Sequence, residues 1–147
     1  MKQNIDDQNL PVYTIGVVAG LIGISVHALR MYESAGILSP KRTDTKRRLY
    51  SKNDVKRLHC VRHFIKKDGL NIAGIKTVLS MIPCWKIKPC GEEDQKKCDA
   101  YYKMGEPCWT VQNVGDICKN VDCRDCNVYL SVADCKNIKE LTRQVYE

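Results

Sequence analysis

The sequence predicts a mainly α-helical chain. A winged helix-turn-helix of four helices and a small β wing comes first, followed by a loop-rich cysteine module and a C-terminal helix. Three observations carry this prediction. Before Pro83, apolar residues recur at helical spacing and are punctuated by capping residues and glycines. A stretch of turn residues flanked by cations, Lys41-Arg42 and Lys46-Arg47-Arg48, interrupts the helices in the manner of a β ribbon. Behind Pro83 stand seven cysteines between Cys84 and Cys126, with no histidine among them.

Each element follows from its residues. Thr14 can cap a short helix running to about Leu21, with Ile15, Val18 and Leu21 on one face. Gly23 marks a tight turn. Ser25 offers its hydroxyl to the free N–H groups of a second helix, Val26 to about Ala35, and Gly36 ends that helix as a left-handed residue would. Helix, glycine turn and capped second helix make a helix-turn-helix, the second helix sized for a DNA major groove. Between Ser39 and Tyr50, turn residues at 43–45 lie between cationic arms suited to resting on phosphates. Ser51 and Asp54 form a capping box for a third helix whose inward face is Val55, Leu58, Val61 and Ile65, with Gly69 as its stop. Asn71 caps a fourth, which turns Ile72, Ile75, Leu79 and Ile82 inward until Pro83.

Charge divides the chain at the same proline. Of the net +7 over 147 residues, residues 1–82 hold 14 Lys and Arg against 6 Asp and Glu, whereas residues 83–147 hold 10 against 11. A basic front half suits a polyanionic partner, because each neutralised phosphate releases condensed counterions. No apolar run is long enough to span a membrane, and Met1 to Asp7 lacks the apolar core of a signal peptide. A cytoplasmic protein is therefore expected, with thiols kept reduced and available as ligands in place of disulfides. No Gly-rich nucleotide loop, nucleophile–base pair or carboxylate dyad is visible, so an enzyme is not expected.

The motifs Ala28-Leu29-Arg30-Met31-Tyr32-Glu33, Gly36-Ile37-Leu38, Pro40, Arg42, Arg48-Leu49-Tyr50-Ser51 and Asp54-Val55 resemble the MerR-type DNA-binding domain over about residues 12–82. Asn71-Ile72-Ala73-Gly74-Ile75-Lys76 is closer to the HspR-like repressors within that family. The resemblance implies double-stranded operator DNA as partner, read as an inverted repeat by a homodimer, with RNA polymerase as a further candidate partner. It implies base or phosphate contacts from Ser25, His27 and Arg30, and phosphate contacts from Tyr32, Arg42, Arg47 and Arg48. The planar guanidinium of Arg30 suits guanine or phosphate, while wing arginines anchor more than they specify. Packing in the core is the alternative role for Tyr32, and simple solvation that for Arg47. The chain departs from the family at Met31, where an aromatic or histidine is usual, in a wing without the common Gly-Tyr pair, and at Pro83, where a long dimerisation helix normally continues.

The cysteine spacing is Cys84-x5-Cys90-x7-Cys98-x9-Cys108-x9-Cys118-x4-Cys123-x2-Cys126, with Cys-Trp at 84 and again at 108. Gly91, Gly105, Pro107 and Gly115 break any long helix, and too few apolar residues are present for a separate core. The segment over about residues 84–129 resembles the small two-CW cysteine-rich domain, a resemblance that confers no secure function. Thiolates favour zinc, copper(I) or iron–sulfur clusters. Only Cys123 and Cys126 form a Cys-x2-Cys knuckle, so an iron–sulfur cluster is expected ahead of zinc, with all seven cysteines as candidate ligands. Trp85 and Trp109 can shield such a site or form a small core.

Outside the module, Cys60 reads as a small buried residue and His59 and His63 as surface histidines. Cys135 lies in a C-terminal helix whose stripe of Ile138, Leu141 and Val145 could pair two subunits or cover the module. The expected organisation is thus a flexible N-terminus at 1–11, a DNA-binding domain at 12–82, the cysteine module at 83–130 and the last helix at 131–147. The expected function is a dimeric regulator whose operator binding responds to a thiolate-bound metal or cluster. The alternative is the same DNA-binding regulator with a purely structural zinc or cluster staple at the dimer interface.

Overall fold

Tyr13–Thr14 opens the fold as β1, a short strand for which the sequence gives no clear signal. It pairs antiparallel with β3 (Arg48–Tyr50), which in turn pairs with β2 (Lys41–Arg42), so the sheet order is β1-β3-β2. Registers are Tyr13 opposite Tyr50 and Arg42 opposite Arg48. The structure is a computed structural model that describes residues 7–42, 45 and 47–143, and only the backbone of Lys41 and Arg42. Thr43 and Asp44 of the expected turn, the Arg42 side chain and Val145 therefore lie outside the described residues.

Helices α1 (Ile15–Ile22) and α2 (Val26–Ser34) are joined by Gly23 at φ 78°. They meet at a bend of 103°, within the roughly 90–120° of a helix-turn-helix. Ser25 caps α2 as expected, its hydroxyl accepting the Ala28 N–H at 3.0 Å. Thr14 holds the N-cap position of α1, but its side chain makes no capping bond, and its backbone is already committed to the sheet. Helix α3 (Lys52–Lys66) begins in the expected capping box, with Asp54 N–H to Ser51 Oγ at 3.1 Å and Ser51 N–H to Asp54 Oδ2 at 2.8 Å. Asn71 caps α4 (Ile72–Ser80) through the Gly74 N–H.

Behind Pro83 the chain folds as one-turn helices and 3₁₀ turns: α5 (Cys84–Ile87), α6 (Glu92–Lys97), α7 (Asp99–Tyr102), then 3₁₀ turns at Cys108–Thr110, Asp116–Cys118 and Cys123–Asp125. Helices α8 (Asn127–Ser131) and α9 (Cys135–Arg143) follow. Val128, Val132 and Ile138 join the same buried cluster as Val18, Leu29, Ile37, Leu58 and Ile75. The segment with too few apolar residues for its own core thus borrows the core of the front half. At roughly 25 cal/mol per Å² of apolar surface, each such buried side chain is worth about 1.5–3 kcal/mol.

The C-terminal stripe adds its Ile138 to the core of the front half. Ile138 is buried, and Cys135 is disulfide-bonded to Cys60 in α3, with Cα atoms 5.5 Å apart. Cys60 is buried as expected, but it is a cross-link and not an isolated small residue. Among the described residues, no single helix is long and apolar enough to cross a membrane.

Candidate functional site

The helix-turn-helix presents Ser25, His27 and Arg30 on its exposed side. His27 and Arg30 are three apart on α2 and therefore neighbours on one face. Arg47 is exposed immediately before β3. Tyr32 lies in the core, 4% exposed, one helical turn from those residues but directed inward. Arg48 is half-buried and donates through Nε to Glu33 Oε2 at 2.5 Å. The other Glu33 oxygen accepts the Tyr50 hydroxyl. Burial first, and then the Glu33 hydrogen bond, push the Tyr50 phenol well above its ordinary range. One carboxylate of the second helix therefore fixes β3, and with it the wing, to that helix. The sequence motif contained Glu33 without disclosing this role.

The cysteine-rich segment is fastened to the same region. The indole N–H of Trp109 donates to the Gly36 carbonyl at 2.6 Å. The Tyr129 hydroxyl accepts the Ser39 N–H at 2.9 Å, and Arg124 Nη1 donates to the Ser39 carbonyl at 2.9 Å. Gly36 holds φ 82°, and a Cβ there would run into Thr110 Cγ2, so only glycine suits both the left-handed backbone and the close approach. Trp109 and Tyr129 meet edge to face with ring centroids 5.1 Å apart. The buried Arg57 guanidinium lies 3.8 Å from the Tyr129 centroid and donates to the Tyr129 carbonyl. None of the hydrogen bonds to the front half is legible from spacing, because each joins residues at least 70 positions apart.

Cys84, Cys90, Cys98, Cys108, Cys118, Cys123 and Cys126 all carry free thiols and all line one partly open cavity of about 250 Å³. Tyr101, Trp109, Val111, Val114 and Val128 complete much of its wall. Burial first, then the neighbouring Cys98, Cys90 and Cys118, pushes the Cys84 thiol up to about 11. The same two causes push Cys108 higher, its neighbours being Cys84, Cys123, Cys126 and Cys118. Burial also raises Cys118 and Cys123, while the Lys88 ammonium pulls both down. Among the described residues no three His, Cys, Asp or Glu side chains already surround a single metal-ion position. The histidines outside the module stay at the surface, with His63 Nε2 3.7 Å from Asp68.

Comparison with known proteins agrees with the front half of this geometry. Residues 13–82 match the family described as MerR HTH family regulatory protein. The chain is 38% identical over 74 residues to the heat shock protein HspR of Streptomyces coelicolor, covering 50% of this chain and 49% of that protein. It is 42% identical over 76 residues to the HTH-type transcriptional regulator GlnR of Bacillus anthracis, covering 52% and 58% respectively. The mercuric resistance operon regulatory protein of Bacillus cereus is 25% identical over 111 residues, 75% of this chain and 73% of that protein. The matched region is thus about half the length of the first two relatives. An exposed, capped second helix, a wing tied to it and a family match over the same segment converge: residues 13–82 form a helix-turn-helix domain that matches the MerR family.

Proposed function

We propose that this chain is a DNA-binding transcription regulator that acts in the cytoplasm as a homodimer on an inverted repeat. Its operator affinity is set by an iron–sulfur cluster held in the cysteine-lined cavity, and RNA polymerase is a further partner. The DNA half rests on the family match and on the exposed Ser25, His27, Arg30 and Arg47. Distorting a promoter by tens of degrees costs several kcal/mol, about 1–6 by elastic estimates. A coupling of about 1–3 kcal/mol between sites is then enough to switch occupancy.

One observation carries the sensing half: seven free thiols face one cavity of about 250 Å³. The donor set fits a soft metal centre, since it is all sulfur. A single zinc ion needs four thiolates at about 2.3 Å and no open space between them. The cavity is several times the ~30 Å³ that a water molecule occupies in the liquid, which suits a polynuclear inorganic core held by four of the seven thiolates. Such a group supplies a charge that changes on oxidation or loss. The likeness to a relative named for mercuric resistance points the same way, since that alignment is too long to end at Pro83.

The test is an anaerobic preparation analysed for iron, acid-labile sulfide and zinc per chain, with its visible spectrum and its operator affinity before and after stripping. Iron and sulfide with a shift in affinity support the reading. Equal affinities in every state reject sensing. A structural staple is the second reading, favoured by the shared burial of Val128, Val132 and Ile138 with the front-half core. Under that reading, stripping unfolds the C-terminal half without a graded change in affinity.

A further inference from the structure

We propose that the strap Gly36–Ser39, which joins the second helix to the wing, is the receiver through which the state of the cysteine cavity reaches the DNA-reading face. Trp109 and Tyr129 are its positioning residues. This inference rests on the cavity holding a thiolate-bound group, and it adds the route and the residues.

The argument is positional. Cys108, Cys123 and Cys126 all line the cavity. Immediately after Cys108 stands Trp109, whose N–H grips the Gly36 carbonyl at 2.6 Å. Immediately after Cys123 stands Arg124, which donates to the Ser39 carbonyl at 2.9 Å. Three residues after Cys126 stands Tyr129, whose hydroxyl accepts the Ser39 N–H at 2.9 Å. Each of these cysteines is therefore within three residues of a side chain clamped to one end of the strap.

The strap itself cannot absorb a displacement. Ile37 and Leu38 at its centre are 0% and 1% exposed, and close-packed interiors pass strain on instead of taking it up. Its front end is the left-handed stop of α2, and its far end leads through Pro40 into β2. A shift of the Cys108 or Cys126 backbone on loading, oxidation or loss of the bound group would thus change the pose of α2 relative to the wing. Other fastenings of the segment reach parts of the front half away from this face. Gly105 donates to Ser80 Oγ on α4 at 3.1 Å, and Asn9 donates to Asp125 at 3.1 Å.

The experiment compares operator affinity of the full chain in two states, reconstituted anaerobically with ferrous iron and sulfide and then stripped, with Zn²⁺ alone as a second probe. The variants are W109F/Y129F, which deletes the polar clamps of the two positioning residues while keeping an aromatic ring at each and leaving Arg124 in place, and S80A as a control fastening. Wild type and S80A should show an affinity ratio between states of roughly 5–150-fold, the usual range of coupling. In W109F/Y129F the ratio should fall towards one, with iron, sulfide and visible spectrum unchanged and DNA still bound. A ratio retained in W109F/Y129F at full loading overturns Trp109 and Tyr129 as the positioning residues of the strap and leaves sensing intact, and a ratio still retained when R124M is added overturns the strap as receiver. A ratio of one in wild type with both probes overturns sensing and the strap together.

Discussion

Arg124 and Ser51 converge on one oxygen of Asp54. Arg124 Nη2 donates to Oδ2 at 3.0 Å, and the Ser51 N–H donates to the same atom at 2.8 Å within the α3 capping box. Both charged side chains are buried, Arg124 5% exposed and Asp54 2%. A charge pair this far from water costs desolvation to form, and removing one partner strands the other. R124M should therefore cost about 3–5 kcal/mol in a denaturant titration, although position 124 lies in the cysteine-rich half. A loss within about 0.5 kcal/mol, as at an ordinary surface site, would show that the pair does not hold the two halves together.

Arg30 and Arg47 should separate in a DNA titration. Arg30 lies on the same exposed face of α2 as His27 and can fork onto a guanine edge, so R30A should cost about 1–3 kcal/mol and relax discrimination between operator and mutated operator. Arg47 is exposed beside the wing. R47A should weaken operator and unrelated DNA alike and lower the salt slope by about 1. Identical losses on specific and unrelated DNA for R30A would remove Arg30 from base reading.

The Cys60–Cys135 bond closes a loop across a sequence separation of 75. By the chain-entropy argument, a loop of that size is worth about 4 kcal/mol. A dithiol reductant should lower the unfolding free energy of the wild type by that amount, seen as a lower denaturation midpoint, and leave C135A, already lowered, with no further loss. An unmoved wild-type midpoint would mean that the cross-link does not stabilise the fold.

The front half was legible because its signals are local. Ser25, the Ser51–Asp54 box, Asn71, Gly23 and Gly36 act within a few residues of themselves, and the structure places each cap or stop where the sequence puts it. The exception, Thr14, lies where a strand competes for the same residue, and two-residue strands leave no periodicity to read. The gathering of the seven cysteines around one space was foreseen only as a density of thiols. The clamps that fasten it, Trp109 to Gly36 and Arg124 to Asp54, are single long-range bonds without any repeating pattern. Cys60 and Cys135 carried no mark of pairing, since geometry and not spacing decides which thiols meet.

Two phenols should betray the clamps at alkaline pH. Burial first, with the Glu33 hydrogen bond second, raises Tyr50 far above its ordinary 10.0. Burial likewise raises Tyr129, against the opposing pull of Arg57. The sign follows from proton counts. Above about pH 10 the unfolded chain releases these protons while the folded chain keeps them, so the unfolded state binds fewer and stability falls as pH rises. Below that value the stabilising contribution is fully present. After a rapid jump to strongly alkaline pH, tyrosinate absorbance should therefore appear partly in a slow phase that runs at the unfolding rate. Y50F and Y129F should each shrink that phase by about one tyrosine's share. Were all the absorbance to develop within mixing, the hydroxyls of Tyr50 and Tyr129 would be open to solvent, and neither the Glu33 lock on the wing nor the Ser39 clamp would hold in solution.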